Sequence, residues 1–448
     1  MKKYIAQTLT RIKSKGRYRH LSVMKEYEYK SIAECKELQK KLLFDILEYS
    51  VKSVPYYRDV AERNDIKTSR NGIFEDIRKF PILNKEVLRN QFANLKSEAF
   101  ERKYYKNTSG GSTGEPVIFI QDAQYKEKGK GAKIFFDEWA GRMDGETVVK
   151  LWGSERDILR GSRGIAGWVT ENLLNIRLLN SFRMSEIDMQ RYVAIINKEK
   201  PKIVEAYVQS IYELSKFIKN NGLEVHSPEG IITSAGTLYP EYQELIADVF
   251  GTKVYNRYGS REVGDMACSC EKDEGLHLNI FNQYLEILND DLEPCKPGEI
   301  GQVYVTTLNN YVMPLIRYQI GDMAVPAKNE QCSCGRGLPL IERVVGRQMD
   351  VFKTKDGNVI PGEFFIHFIG VVYNKDFISK FQVVQKDYDF VVIKLVVRDE
   401  IKFGSYKKKI IDSIKNVMGR DCRVEFEFVE DIEPTKSGKY LYTISEVK

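Results

Sequence analysis

The sequence predicts an α/β protein in two parts. A large N-terminal part carries parallel-sheet βαβ subdomains and a small β-barrel-like subdomain, and a small α+β C-terminal domain follows. Three observations carry this. From about residue 100, short apolar runs that read as buried strands alternate with segments of helical apolar spacing, as βαβ units require. Between Tyr284 and Val325 the pattern changes to alternating strands separated by glycine and proline turns. Beyond Gly346-Arg347 a hairpin, two helices and further strands fill the rest of the chain. A length of 448 residues fits two or three domains.

Each element has its own justification. The first twenty residues carry Lys2, Lys3, Arg11, Lys13, Lys15, Arg17 and Arg19, with no acid before Glu26. They read as a solvated, partly frayed start or, more sharply, as a peripheral contact with an anionic membrane face. Residues 31–52 show helical spacing in Leu38, Leu42, Leu43, Ile46 and Leu47, and Pro55 breaks that helix. Residues 147–152 (TVVKLW) predict a buried strand ending at Gly153. Residues 189–196 and 211–218 predict helices, and 230–233 a strand leading into Ser234-Ala235-Gly236. A helix over 239–250 and a strand over 252–255 follow. The β subdomain contains strands at 284–288 and 301–307. The domain boundary is placed near 346–350, giving parts 1–346 and 347–448. In the second part, 351–354 and 359–360 flank a Lys355-Asp356-Gly357-Asn358 turn as a hairpin. Strands at 381–385, 390–397 and 422–429 complete it.

Composition narrows the function classes. Hydrophobic residues at 42% and charged residues at 29% are ordinary for a soluble globular chain, so disorder and low-complexity architectures are excluded for most of it. No apolar run approaches the roughly 20 residues of a membrane helix. Lys plus Arg is 69 against 63 acids, a net +6 that suits an anionic small molecule and gives no reason for nucleic-acid binding. The N-terminus has no apolar signal core, so a cytoplasmic location with reduced thiols is expected. Seven cysteines include two matching pairs, Cys268-Ser-Cys270 and Cys332-Ser-Cys334. With His277 close behind the first pair, they point to a tetrahedral structural zinc site, in which Cys268 and His277 are alternative ligands.

Residues 107–116 read NTSGGSTGEP. Glycines and small hydroxyl residues let backbone N–H groups converge on an anion. No Gly-Lys-Ser/Thr follows, so this is not a Walker loop. Downstream come Tyr258-Gly259-Ser260-Arg261-Glu262, then Arg317-Tyr318-Gln319-Ile320-Gly321-Asp322, Gly346-Arg347, and Pro434-Thr435-Lys436-Ser437-Gly438-Lys439. Each alone is a common turn, but the order is specific. It resembles the adenylate-forming superfamily of acyl-CoA synthetases, peptide-synthetase adenylation domains and luciferases. Within that superfamily the chain resembles the phenylacetate-CoA ligase group and its CapK-like branch, which is associated with capsule polysaccharide biosynthesis. The resemblance spans about residues 30–445, and the run at 308–318 (LNNYVMPLIRY) is typical of the branch.

The resemblance implies ATP-dependent adenylation of a carboxylate, followed by acyl transfer to coenzyme A. Alternatives are transfer to an amine or hydroxyl of a sugar or carrier, AMP transfer to a hydroxyl, or a non-catalytic nucleotide-binding protein. It implies that Thr108, Ser109, Gly110, Gly111, Ser112, Thr113 and Gly114 hold the ATP phosphates. Ser234, Ala235 and Gly236 would wall the adenine, and Tyr258 would cover its other face beside Gly259. Ser260 would meet the α-phosphate, Glu262 would bind Mg²⁺, Asp322 would accept from the ribose hydroxyls, and Arg347 would reach the ribose or phosphates. Lys439 would be the catalytic lysine, carried on a mobile C-terminal domain. For zinc it favours Cys270, His277, Cys332 and Cys334. The hinge position holds Met349, with Asp350 beside it, where relatives have an acidic residue or lysine. Val117 stands where many superfamily loops have lysine. Trp152, Arg156, Tyr207 and Tyr255 are candidates to line the acyl pocket, Arg156 suiting a second substrate carboxylate.

Overall fold

The computed structural model describes residues 14–108, 117–152, 174–181, 184–347, 352–356, 359–360, Phe365, Ile369, 377–433 and 441–447. Elements are numbered over these residues. Residues 32–53 are helical as their spacing says, but residues 15–20, expected as a solvated, partly frayed start, instead open a packed helix. Helix α1 (Lys15–Tyr27) lies along α6 (Ala123–Trp139), with Arg17 paired to Glu127 and Lys25 to Glu138. Helix α2 (Ile32–Ser53) starts at a reciprocal cap. The Ser31 hydroxyl accepts from the Glu34 N–H, and the Glu34 carboxylate accepts from the Ser31 N–H. Pro55 ends this helix and begins the next. Val54 takes the extended conformation that precedes proline, and Pro55 opens α3 (Pro55–Arg63), where its missing N–H costs nothing.

Short helices α4 (Ile73–Asp76) and α5 (Lys85–Asn90) lead to an antiparallel hairpin of β1 (Tyr104–Thr108) and β2 (Ile118–Asp122). Asp122 then caps α6 by accepting from the Tyr125 N–H. Among the described residues, eleven strands form one sheet in the order β10-β11-β12-β13-β9-β8-β7-β6-β5-β3-β4. Its parallel half is β3 (Val148–Trp152), β4 (Ile176–Asn180), β5 (Ile203–Tyr207), β6 (Gly230–Ser234) and β7 (Val254–Ser260). Helices α7 (Glu186–Glu199), α8 (Val208–Asn220) and α9 (Pro240–Phe250) connect these strands. They bury Ile196, Ile211, Leu214, Ile246 and Phe250 against Val149, Leu151, Val204 and Ile231. Helix α6 crosses the opposite face.

Strand β7 joins the two halves, running parallel to β6 and antiparallel to β8 (Gly264–Ser269). The antiparallel half continues through β9 (Leu276–Leu278), β10 (Gln283–Leu288), β11 (Gly301–Thr307), β12 (Tyr318–Pro326) and β13 (Leu340–Arg347). It therefore begins well before Tyr284 and shares its sheet with the parallel strands. The C-terminal unit is α+β as the pattern predicts. A hairpin of β14 (Phe352–Lys353) and β15 (Val359–Ile360) precedes a four-stranded sheet, β18-β17-β16-β19. These strands are β16 (Ile378–Asp387), β17 (Phe390–Val397), β18 (Arg423–Phe428) and β19 (Thr443–Ser445). Helix α10 (Glu400–Met418) packs Phe403, Ile410 and Ile414 into their core. No described helix is long and apolar enough to cross a membrane.

The N-terminal helices are locked to the β12 approach by one fully buried side chain. The Tyr57 hydroxyl donates to the Pro314 carbonyl at 2.9 Å and accepts from the Ile316 N–H at 3.1 Å. Tyr57→Phe strands both backbone groups, so it should cost about 1–3 kcal/mol. A lowered thermal unfolding midpoint checks this; an unchanged midpoint would show that water replaces the hydroxyl.

Candidate functional site

Open α/β sheets bind ligands at the carboxyl ends of their parallel strands. The Ser234–Gly236 segment and the turn bearing Glu262 lie there. Ser234 is the last residue of β6 and is buried. Ala235 follows at φ +60°, a left-handed conformation that turns the chain away from the sheet. At Gly236 a Cβ would sit 3.2 Å from the Val208 Cβ, so the segment lies flat against the start of α8. Three small residues therefore make a flat turn at the end of β6.

The next carboxyl end, that of β7, turns into β8 as a tight hairpin carrying Glu262, which is buried. A Cβ on Gly259 would stand 2.7 Å from the Gly264 carbonyl oxygen, so only glycine allows this closeness. The turn is tied from both sides. Gln121 on β2 donates to the Glu262 carbonyl at 3.0 Å and to the Arg261 carbonyl at 3.3 Å. Gln283 donates to the Val263 carbonyl. Thus the strand following the glycine-rich segment is bonded directly to the Glu262 turn. Thr108 ends β1 opposite Ile118, so residues 109–116, with Ser109, Gly110, Gly111, Ser112, Thr113 and Gly114, connect two hydrogen-bonded strands but lie outside the described residues. Sequence reasoning did not single out Gln121.

Two motif residues far apart in sequence are bonded: the Tyr258 hydroxyl donates to the Asp322 carboxylate at 2.9 Å. Asp322 lies on β12 directly opposite Arg347 on β13. The register therefore sets Arg347 beside Asp322, although its side chain is not described. Ser260 completes β7, its hydroxyl facing the Val263 N–H at 3.4 Å. Lys439, Met349, Asp350 and Arg156 lie outside the described residues. Tyr442, just beyond segment 434–440, donates to Gln209 at 3.4 Å, on the first turn of α8 next to the carboxyl end of β5. The chain after Lys439 is therefore moored beside the same edge.

The expected acyl-pocket aromatics divide. Trp152 and Tyr207 end neighbouring strands with ring centroids 4.3 Å apart. Tyr255 instead packs with Ala140, Val148, Ile203 and Ile232 near the opposite end of the strands, where it is core.

The cysteine pairs converge with His277. The ligand atoms of Cys270, His277, Cys332 and Cys334 all lie within 4.8 Å of one another. Cys270 and Cys332 are 3.6 Å apart at sulfur, far beyond a disulfide bond and close to the edge of a tetrahedral thiolate site. Cys334 Sγ lies 3.4 Å from His277 Nε2, while His277 Nδ1 faces the Leu338 carbonyl at 3.1 Å. That bond leaves Nε2 as the ligand nitrogen. Backbone N–H groups of Lys272, Cys334 and Arg336 point at the three sulfurs at 3.4–3.5 Å. Cys268 is outside this group, buried beside Arg257, so the alternative ligand set is not the one assembled.

The hairpin geometry makes a stability prediction. Gly259→Ala forces a backbone contact open and should lower the thermal unfolding midpoint. Gly404→Ala, on exposed α10 with nothing within 4 Å, should raise stability by about 1 kcal/mol. Equal responses at the two sites would refute the close β7–β8 approach.

Residues 352–446 match the CapK C-terminal domain family. Protein CapK of Staphylococcus aureus is 25% identical over 435 residues, covering 94% of this chain and 92% of that protein. A phenylacetate-coenzyme A ligase of Thermus thermophilus is 25% identical over 340 residues, 72% of this chain and 73% of that one. Among solved structures, 2-hydroxyisobutyryl-CoA ligase in its postadenylation state superposes with a TM-score of 0.72 at 17% identity, over 94% of this chain and 91% of that one. The chain thus resembles Protein CapK over nearly all its length, its residues 352–446 match the CapK C-terminal domain family, and it shares the fold of 2-hydroxyisobutyryl-CoA ligase.

Proposed function

We propose that the protein is an adenylate-forming ligase that activates a carboxylic acid with ATP and passes the acyl group to coenzyme A. In the first half-reaction a carboxylate oxygen bonds to the α-phosphorus of ATP. The bond from that phosphorus to the bridging oxygen breaks, and pyrophosphate leaves an acyl-adenylate. In the second, the coenzyme A thiolate sulfur bonds to the acyl carbon and AMP departs. The observation that carries this reading is the bond from Tyr258 on β7 to Asp322 on β12, with buried Glu262 in the turn at the carboxyl end of β7. Similarity to phenylacetate-coenzyme A ligases supports coenzyme A as acceptor. The CapK-like resemblance supports a setting in surface polysaccharide assembly.

In this reading the segment from Thr108 to Gly114 receives the β- and γ-phosphates, and Ser234, Ala235 and Gly236 flank the adenine opposite Tyr258. Asp322 trades its bond from Tyr258 for bonds from the ribose hydroxyls, with Arg347 beside it and Ser260 near the α-phosphate. Glu262 is a hard oxygen donor suited to Mg²⁺, which would neutralise phosphate charge. Lys439 stabilises charge developing on the α-phosphoryl oxygens. Residues 347–448 act as a small mobile domain that brings this lysine in and withdraws it, turning near Met349 and Asp350. The Cys270, His277, Cys332 and Cys334 group holds one Zn²⁺. With four protein ligands its role is structural, joining the loop after Glu262 to the loop after Asp322.

ATP–pyrophosphate exchange across aromatic, amino and sugar acids, with and without coenzyme A, tests the reading. Acid-dependent exchange and a thioester product are expected; exchange without a thioester would move the acyl group to an amine or hydroxyl acceptor. Lys439→Ala should lower exchange by about 10²–10³-fold while the far-ultraviolet dichroism stays unchanged. Wild-type exchange in that variant would remove the lysine from the mechanism. Metal analysis should find one zinc per chain, lost in Cys270→Ser together with a lower unfolding midpoint. Metal-free protein of unchanged stability would show that the thiols need no ion.

A further inference from the structure

The side of the parallel sheet covered by α6 carries an unusual row of charge. Lys150 on β3 stands directly opposite Glu205 on β5. Trp152 and Tyr207 lie two residues further along the same strands, hence on the same face, one row nearer the carboxyl edge. The ammonium groups of Lys150 and of Lys133, from α6, both reach the same Glu205 oxygen at 2.7 Å. Arg257 pairs with Glu205 and lies 3.5 Å from Asp137 and 3.6 Å from Asp265, and Arg142 pairs with Asp137. Among the described residues, then, four cations share three carboxylates. The two arginines and Asp137 and Glu205 are almost fully buried, but the Lys133 and Lys150 side chains keep 27% and 18% of their exposure. The surplus positive charge therefore lies on the lysines next to the aromatic row. Each ammonium has three donors, and one carboxylate oxygen cannot use them all.

Space is present beside them. Gly129 is one helical turn before Lys133 on the same side of α6, and a Cβ there would meet nothing within 4 Å. An acid entering past Trp152 and Tyr207 would have its reacting carboxylate near Ser234 and its far end at Lys133 and Lys150. The two rows are separated by two strand residues, roughly 7 Å.

We propose that the substrate is a carboxylic acid with a second anionic group at its far end, held by Lys133 and Lys150. This rests on the acyl-activation reading above and assigns that site's substrate class. The second anion could be a carboxylate or a phosphonate, and the two are separate arms of the test.

Pyrophosphate exchange is measured with matched pairs: adipate against hexanoate, terephthalate against 4-methylbenzoate, and 4-phosphonobenzoate as the third arm. The dianionic member of each pair should be preferred. Lys133→Met should raise its KM at least about tenfold more than it raises that of the monoanion, and Lys133→Arg should restore much of the preference. Better exchange with the monoanions, insensitive to Lys133→Met, would overturn the assignment and leave adenylation standing. If no acid supports exchange, the acyl-activation reading fails, and ligand-observed NMR binding of adipate and hexanoate decides the lysine site alone. Selective adipate binding lost in Lys133→Met sustains the site; equal or absent binding of both ends it. Because Lys150 is more enclosed, Lys150→Met is interpreted only where its dichroism matches wild type.

Discussion

The ion network centred on Arg257 is the constraint on which the site's geometry rests. Arg257 sits on β7, the strand where the parallel and antiparallel halves of the sheet meet. It reaches Glu205 on β5, Asp137 on α6 and Asp265 on β8. One side chain thereby ties a helix to both halves of the sheet. Burial works against the charge of Glu205, but Arg257, Lys133 and Lys150 outweigh it and hold its carboxyl well below the usual range. Removing one partner of such a buried pair costs about 3–5 kcal/mol, because the survivor is left charged in a poor solvent. Since the folded value of Glu205 lies below the unfolded one, its contribution is complete at neutral pH. It is lost as pH falls through the acid range and the carboxylate takes up a proton. The next residue after Arg257 is Tyr258, and Asp265 packs on Gly259. The network thus fixes the hairpin bearing Glu262 from beneath.

The cysteine–histidine group performs the corresponding task one layer further out. Arg336, two residues beyond Cys334, pairs with Glu28 and Glu271 and lies 4.4 Å over the Trp139 ring. Trp139 is in turn edge-on to His277 at 5.5 Å. At Gly337 a Cβ would fall 1.7 Å from the Lys30 carbonyl oxygen, so the knuckle is pressed against the α1–α2 corner. The loops that follow Glu262 and Asp322 are consequently pinned to each other and to the N-terminal helices. The proposed metal would close this assembly.

Much of this was legible because of how each element is encoded. Buried parallel strands read as largely apolar runs, so β3 and β6 stood out while β5 was passed over, and Pro55 marked the end of α2. The proposed nucleotide site was readable only from the order of its motifs, since each glycine-bearing turn is common by itself. Pairing between distant strands left no local mark. The continuity of the two sheet halves through β7 was therefore hidden, as was the choice between Cys268 and His277, which depends on register. One overlooked signal was present. Lys150 is the third residue of β3 and Glu205 the third of β5, each a lone charge in an apolar strand. A single charge in such a run needs a partner, and two at matching positions supply one another.

The two ends of the proposed substrate cavity are consequently built from different materials. Around the proposed nucleotide site, the shape is made by backbone. Ala235 turns at φ +60°, Gly236 abuts Val208, and Gly259 abuts Gly264, so these positions admit almost no change. Around the acid, the shape is made by side chains that stand in rows on β3 and β5, and any residue of suitable size can occupy a row position without moving the backbone. Lys133 and Lys150 are of this second kind, provided Glu205 keeps enough cations to remain ionised, which Arg257 supplies independently. The network that holds the hairpin thereby frees the lysines for recognition. Since Arg257 reaches Glu205 on its own, a change at one lysine would alter the proposed acid pocket and leave the main tie of the Glu262 hairpin in place.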